Sequence, residues 1–226
     1  MFYIRWLNTS GILLILFLLI DIGTAFSQHI NSLKVSLEED IKELNIQQEF
    51  EYHNTSKDSL YILYFNDWAN AYSDKNTALA KRFDEEFKKS LHLAKDKDRG
   101  KTQIFSVVDN EYRATSWERT EGKDLIKIIL NRALAPGEKA KLFMTYSVKL
   151  PPNRYTPYGY DDNGDYYLKD WYLTPAVYDK TWLLYSNKNL EDLYTGNTNT
   201  NIIFTYPDSL FLGTNFHEVS ITKLPG

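Results

Sequence analysis

Large apolar and polar residues alternate along most of this chain. Leu33, Val35 and Leu37 share one side of an extended segment, and after the polar Glu38-Glu39-Asp40 the series Leu44, Ile46, Gln48, Phe50 and Tyr52 repeats the period of two. Successive strand side chains project to opposite faces, so the spacing predicts two half-buried strands paired antiparallel. The pattern is clearest over residues 140–150, where Leu142, Met144, Tyr146, Val148 and Leu150 oppose Lys141, Thr145 and Lys149. Residues 59–65 are apolar on both faces and predict a central strand covered on both sides. Further strands are expected over residues 103–108, 111–117, 125–130, 201–206, 210–213 and 218–224.

The period changes once. Residues 66–72 have none; then Asn76-Thr77 offers an N-cap before Leu79, Phe83, Phe87 and Leu91, predicting one helix of four to five turns that stops at Gly100, after a solvated charge run. Turn chemistry punctuates the rest: residues 54–58, Ala135-Pro136-Gly137-Glu138 and Pro207-Asp208. Asn54-Thr55-Ser56 also fits a glycosylation acceptor, with the turn the stronger reading. Many short strands, frequent turns and one helix predict an all-β fold, an antiparallel β-sandwich with a helical insertion.

One stretch concentrates aromatic residues. Tyr166, Tyr167, Trp171, Tyr172, Tyr178 and Trp182 surround Pro175 and the acids Asp170 and Asp179. Alternation over residues 166–172 reads as a strand, stopped by Thr174-Pro175 because proline donates nothing to a ladder. A strand is thus expected to deliver an aromatic loop to a sheet edge.

Composition narrows the partners. Lys and Arg number 26 against 30 Asp and Glu, interspersed, so no basic stripe exists for nucleic acid. With no cysteine there is neither disulfide nor thiolate chemistry, and aromatic packing must carry stability. Arg5, the apolar run 12–20 and the small residues at Ala25 and Ser27 read as a signal peptide cleaved before Gln28, so a secreted or periplasmic product with no membrane attachment after cleavage is expected. The run is shorter than the ~18 to 20 residues a membrane span needs. Residues 28–226 then form one sandwich domain.

The segment from Trp171 resembles the W-Y-P-x-P-A-V-Y-D signature in the amino-terminal domain of exported bacterial zinc metallopeptidases of the aminopeptidase N (gluzincin) family. Trp171, Tyr172, Pro175, Ala176, Val177, Tyr178 and Asp179 match, with Leu173 in place of the first proline. Tyr52-His53-Asn54, Ser56, Asp58, Leu60, Trp68, Asn70-Ala71-Tyr72, Asn76-Thr77-Ala78 and Ala80-Lys81 are similar to another run of that branch, and Leu134 to Gly137 to its Leu-x-Pro-Gly turn. The resemblance implies a saddle-shaped, non-catalytic sandwich forming one wall of a peptide-substrate cleft. It places the metal ligands, the general-base Glu and the G-x-M-E-N motif in a following domain, beyond Gly226, where zinc would reside. No cofactor is expected in this chain, and its partners would be peptide substrate or that catalytic domain. Asp170, where the branch commonly has Gln, and Tyr172 lie nearest the positions that meet a substrate amine; Trp171 completes the substrate-binding candidates. The residues by themselves leave another reading open: Asp170 capping a turn, with Trp171 and Tyr172 in the core.

Other chemistry finds little footing. Of four histidines (His29, His53, His92 and His217), only His217-Glu218 begins the zinc motif H-E-x-x-H, and Ile221 stands where its second histidine should be. No Gly-rich phosphate loop or G-x-S-x-G elbow occurs, so no catalytic residue is assigned. Counted from Asp161, a calcium loop would need Gly at the sixth place and an acid at the twelfth; Tyr166 and Tyr172 stand there, so an Asn-Gly hairpin is the better reading. Asp161-Asp162 and Glu85-Glu86 read as surface acids before glycosidase carboxylates. The alternative function is a free-standing module binding glycan or peptide on Tyr155, Tyr158, Tyr160, Tyr166 and Tyr167, against which stands their packing as core. Leu224-Pro225-Gly226 resembles the approach to a turn, so further strands are expected to follow.

Overall fold

The computed structural model describes residues 29–190 and 193–215. The expected leader (residues 1–27), the expected strand 218–224 and His217-Glu218 lie outside the described residues. Strands β1 (His29–Glu38), β2 (Glu43–His53), β3 (Leu60–Asn66), β4 (Lys101–Asp109), β5 (Ser116–Arg119), β6 (Leu125–Leu134) and β7 (Lys139–Lys149) are followed by short strands β8 (Gly159–Tyr160), β9 (Tyr166–Tyr167), β10 (Thr174–Pro175), β11 (Val177–Asp179) and β12 (Thr181–Leu183). The last strand is β13 (Thr198–Thr205). They build a five-stranded sheet ordered β13-β1-β2-β7-β4 and a four-stranded sheet ordered β10-β3-β6-β5, with two small hairpins, β8-β9 and β11-β12.

The inward rows read from the alternation meet between the sheets. Leu33, Val35, Leu44, Ile46, Phe50, Leu142, Met144 and Val148 on one sheet share a core with Leu63, Phe65, Ile126 and Ile128 on the other. Phe50 and Phe65 join the layers edge to face at 5.1 Å. β2 and β7 pair along their whole length, Glu43 opposite Lys149 through His53 opposite Lys139, and form the centre of the five-stranded sheet. The sandwich is all-β as expected.

Several expectations need correcting. β13 runs parallel to β1, so the larger sheet is mixed; the two strands are joined by most of the chain, and no tight hairpin imposes antiparallel pairing. β3 is central but its second face is only partly covered: Tyr64 packs against Trp182 at 5.4 Å, while Tyr61 is 65 % exposed. The helix α1 spans Ala78–Glu85 alone. Thr77 caps it as expected, accepting from the Ala80 amide. It ends because Phe87 takes a left-handed φ of 61°, while the Phe87 and Lys88 amides donate to the Asp84 and Phe83 carbonyls. That is a Schellman closure without glycine, and it leaves Phe87 87 % exposed.

Gly100 ends no helix; β4 begins after it, and Arg99 of the supposed solvated run is buried against the His92 and Ala94 carbonyls. Residues 66–72 hold a 3₁₀ turn, Trp68–Tyr72, buried throughout. The strand expected over 111–117 starts only at Ser116, because the Asp109 carboxylate closes a turn on the Glu111 and Arg113 amides. Residues 210–213 form no strand. The turns at 54–58 and at Ala135 to Glu138 form, Gly137 with φ 79°. Asn54 is buried and its amide donates to the Asp58 and Leu134 carbonyls, which removes it as a glycan acceptor.

Candidate functional site

Between β7 and β13 the chain leaves long regular pairing and is held by short strands and individual contacts. Gly159 is required at its place: at φ 118° its backbone lies so close to Pro151 that a Cβ would fall 1.9 Å from the carbonyl oxygen. The β8-β9 hairpin follows, closed by Asp161, whose carboxylate accepts from the Asn163 and Asp165 amides, with Gly164 at φ 90°. The Asn-Gly hairpin is therefore the use to which these acids are put. The strand expected over 166–172 shrinks to Tyr166–Tyr167, and Thr174–Pro175 does not end it but joins the four-stranded sheet opposite Asn66 and Phe65. Proline is tolerated there because β10 is an edge strand, whose outward side needs no donor.

Two buried side chains of the larger sheet hold this segment. The Tyr146 hydroxyl donates to Gln48 Oε1 at 2.7 Å and accepts from the Leu173 amide at 3.1 Å; Gln48 Nε2 donates to the Leu173 carbonyl and to Asn31 Oδ1, each at 2.8 Å. Both polar groups of Leu173 are thus satisfied inside the core, which an isolated loop cannot arrange. Burial pushes the Tyr146 hydroxyl well above its usual pKa, so it stays protonated and able to donate.

Trp171 is 7 % exposed, edge-on to Tyr172 at 5.0 Å and to Phe204 at 5.9 Å. Pro175 and Ala176 are buried as well. Tyr178 stacks edge-on against Trp182 and donates to Asp58 Oδ2 at 2.8 Å. Most of the aromatic signature therefore packs. Of the three substrate-binding candidates, Trp171 is core, Tyr172 is half-buried, and Asp170 stands apart in a left-handed conformation at φ 51°.

The Asp170 carboxylate is half-buried and has no ion pair or hydrogen bond among the described residues. Burial raises its pKa, against a lowering by Lys169. Its charge helps raise the pKa of Tyr72, Tyr158 and Tyr172, each dominated by burial, and Tyr72 reaches about 12. The Tyr72 hydroxyl bonds Thr156 at 2.5 Å, whereas the buried Tyr158 hydroxyl has no hydrogen-bond partner among the described residues. A carboxylate with no direct ion pair or hydrogen bond among the described residues, and only its chain neighbour Lys169 acting on it through charge, thus lies near neutral phenols, an arrangement able to receive an ammonium group.

Tyr155 and Tyr158 are buried, so the five-tyrosine platform does not exist as an accessible surface; Tyr167 alone of that set is openly exposed. Among the described residues no group of three His, Asp or Glu side chains is placed to hold a metal ion. His29 stacks on Tyr52 at 4.4 Å and accepts from the His53 amide, and its burial lowers the imidazole pKa to about 4. It fits a packed neutral histidine, not a ligand set, and a zinc site does not fit these residues.

A second set of buried polar groups was invisible in the sequence. Asp67 pairs with Arg119 and accepts from Thr102 Oγ1 at 2.6 Å. Asp124, fully buried, accepts from Ser186 Oγ at 2.9 Å and from the Asn187 amide at 2.7 Å, and burial raises its pKa to about 6. Trp68 Nε1 donates to the Tyr185 carbonyl at 2.8 Å beside it. Gln48 did leave a signal, a polar residue on the inward side of an otherwise apolar row. Asp67 and Asp124 left none.

No protein-family model matches the chain, and no curated protein matches its sequence. Among solved structures, similarity is found to an M1 zinc metallopeptidase from Deinococcus radiodurans, at 13 % identity, covering 54 % of this chain and 19 % of that one with a TM-score of 0.31. A two-domain M1 zinc metallopeptidase bound to L-tryptophan gives 13 %, 54 %, 19 % and 0.33. Yeast LTA4 hydrolase with bestatin gives 9 %, 54 %, 15 % and 0.29. The matched part spans less than a fifth of the length of these enzymes, and over 54 % of its own length the chain resembles M1 zinc metallopeptidases in structure.

Proposed function

We propose that this chain is the non-catalytic amino-terminal sandwich of an exported zinc aminopeptidase-like protein, presenting Asp170 to the free amine of a peptide in a cleft completed by a catalytic domain. The observation that carries the reading is Asp170 itself, a half-buried carboxylate with no direct ion pair or hydrogen bond among the described residues, in a left-handed conformation directly before the Trp171 to Asp179 signature. A carboxylate held this way binds an ammonium more strongly than one in open water, because the surrounding protein screens the pair less. Tyr172 would flank the peptide, while Trp171 supports it from the core. Catalysis, and the zinc it uses, would belong to the partner domain.

The test is the native protein captured from its host with an antibody to this chain, weighed intact and assayed for zinc and aminopeptidase turnover. A mass several times the chain's 26.5 kDa, with zinc and chelator-sensitive turnover, is the expected result. In that protein Asp170→Asn should raise KM roughly tenfold while kcat changes little, the pattern of lost uniform binding. A mass near the chain's own, without zinc, would overturn the reading.

A further inference from the structure

The outward face of the five-stranded sheet carries a groove that the cleft reading does not use. Its volume is about 340 Å³, at the lower end of the roughly 300–1,000 Å³ typical of small-ligand sites. Register places Ile203, Lys34, Gln47 and Thr145 side by side across β13, β1, β2 and β7. Thr205, Ser36 and Asn45 form the next row. Two apolar side chains stand at the sheet edges: Ile203 on β13, and Phe105 on β4, turned out by a bulge between Ile104 and Ser106 and 57 % exposed.

The lining selects its ligand. Lys34 is the one charged residue in it; the ion pairs Glu49–Lys141 and Glu51–Lys139 begin only further along β2. The side chains of Ser36, Gln47, Thr145 and Thr205 have no intramolecular hydrogen-bond partner among the described residues. A polyanion lacks the cations it needs here, a lipid chain would leave the unpaired hydroxyl and amide groups of the lining without partners, and a peptide strand finds no backbone to pair with in mid-sheet. A ring carrying hydroxyls around its rim and C–H bonds on its faces satisfies both features, hydrogen-bonding the amide and hydroxyl rows while lying on Phe105.

We propose that this groove binds a short, neutral oligosaccharide, with Phe105 as the stacking surface and Gln47, Asn45 and Thr145 as hydrogen-bonding floor. The site lies on the face opposite the core and is independent of Asp170. The test titrates the full chain calorimetrically with uncharged tetrasaccharides of glucose and of N-acetylglucosamine, and with an uncharged tetrapeptide. Saturable saccharide binding is expected, weakened about tenfold by Phe105→Ala and by Gln47→Ala, as loss of one buried contact implies, and unchanged by Tyr167→Ala on the distant hairpin. Amide shifts of Lys34, Gln47 and Thr145 during titration give a readout that needs no variant. No binding of either saccharide at millimolar concentration, binding indifferent to both groove variants, or binding of the peptide instead would each overturn the proposal.

Discussion

The β2-β7 ladder and the segment after Leu150 are held together in opposite ways. In the ladder every residue from Glu43 to His53 has a cross-strand partner, and specificity is spread over a whole face of alternating side chains. Between Leu150 and β13 the pairing falls to strands of two or three residues, and position is set by a few buried polar groups: Gln48 and Tyr146 on Leu173, Asp124 on Ser186 and Asn187, Trp68 on Tyr185. Distributed pairing tolerates the loss of a member. A polar tie leaves buried partners unsatisfied when one atom goes, so damage there should be local and sharp.

The largest effect should come from the ladder's core. Phe50→Ala is expected to lower stability by about 3 to 5 kcal/mol in urea denaturation, since it empties the contact between the layers.

Next in size is a contrast in pH dependence. His29, in β1, has its pKa lowered from 6.5 to about 4, so the unfolded chain takes up the proton first; its stabilisation is complete above pH 6.5 and is lost as pH falls toward 4. Asp124 is raised from 3.8 to about 6, so the folded state takes up the proton first; its contribution is present below pH 3.8 and is lost as pH rises through 6. The His29 end of β1 and the Asp124 tie to Ser186 and Asn187 therefore answer acid with opposite signs over one window. His29→Phe should gain on the wild type by about 3 kcal/mol as pH drops from 6.5 to 4. Asp124→Asn should shift the other way, gaining as pH rises from 3.8 to 6. Profiles that fail to diverge would remove the contrast.

Tyr146→Phe deletes one oxygen and should cost about 2 kcal/mol, with early loss of protection at the Leu173 amide in hydrogen exchange. Thr145→Ala beside it, facing outward, should stay within about 0.5 kcal/mol. If the two variants match, the polar ties do not carry the segment. Smallest is the pair at the ends of α1: Thr77→Ala should cost about 1 kcal/mol, and Phe87→Gly should raise the unfolding free energy by a few tenths of a kcal/mol through relief of the left-handed backbone.

The same division decides what was legible. Strands β1, β2, β4, β6 and β7 could be read because a half-buried strand must show a period of two, and the cap at Thr77 because its hydroxyl serves a helix N-terminus locally. The helix end at Phe87 could not, since no glycine marked it and Leu91 returns to the core by a different path. The strand over 166–172 was misread because aromatic residues pack equally well in a loop that side chains from another sheet hold in place. At the candidate site, Asp170, Trp171 and Tyr172 were nominated together from a motif, yet the fold separates them into one unpaired carboxylate and two packing residues.

Alternation alone determined that this protein is a two-layer β structure, because burying one face of a strand is a local constraint written at every second residue. Its turns were equally local. Tertiary structure alone decided that β13 lies parallel to β1, that Gln48 and Tyr146 grip a loop 125 and 27 positions further on, and that Asp170 is left without a direct ion pair or hydrogen bond among the described residues. Those outcomes depend on which distant groups meet in a medium where an unpaired polar atom is expensive, and no nearby residue records that meeting.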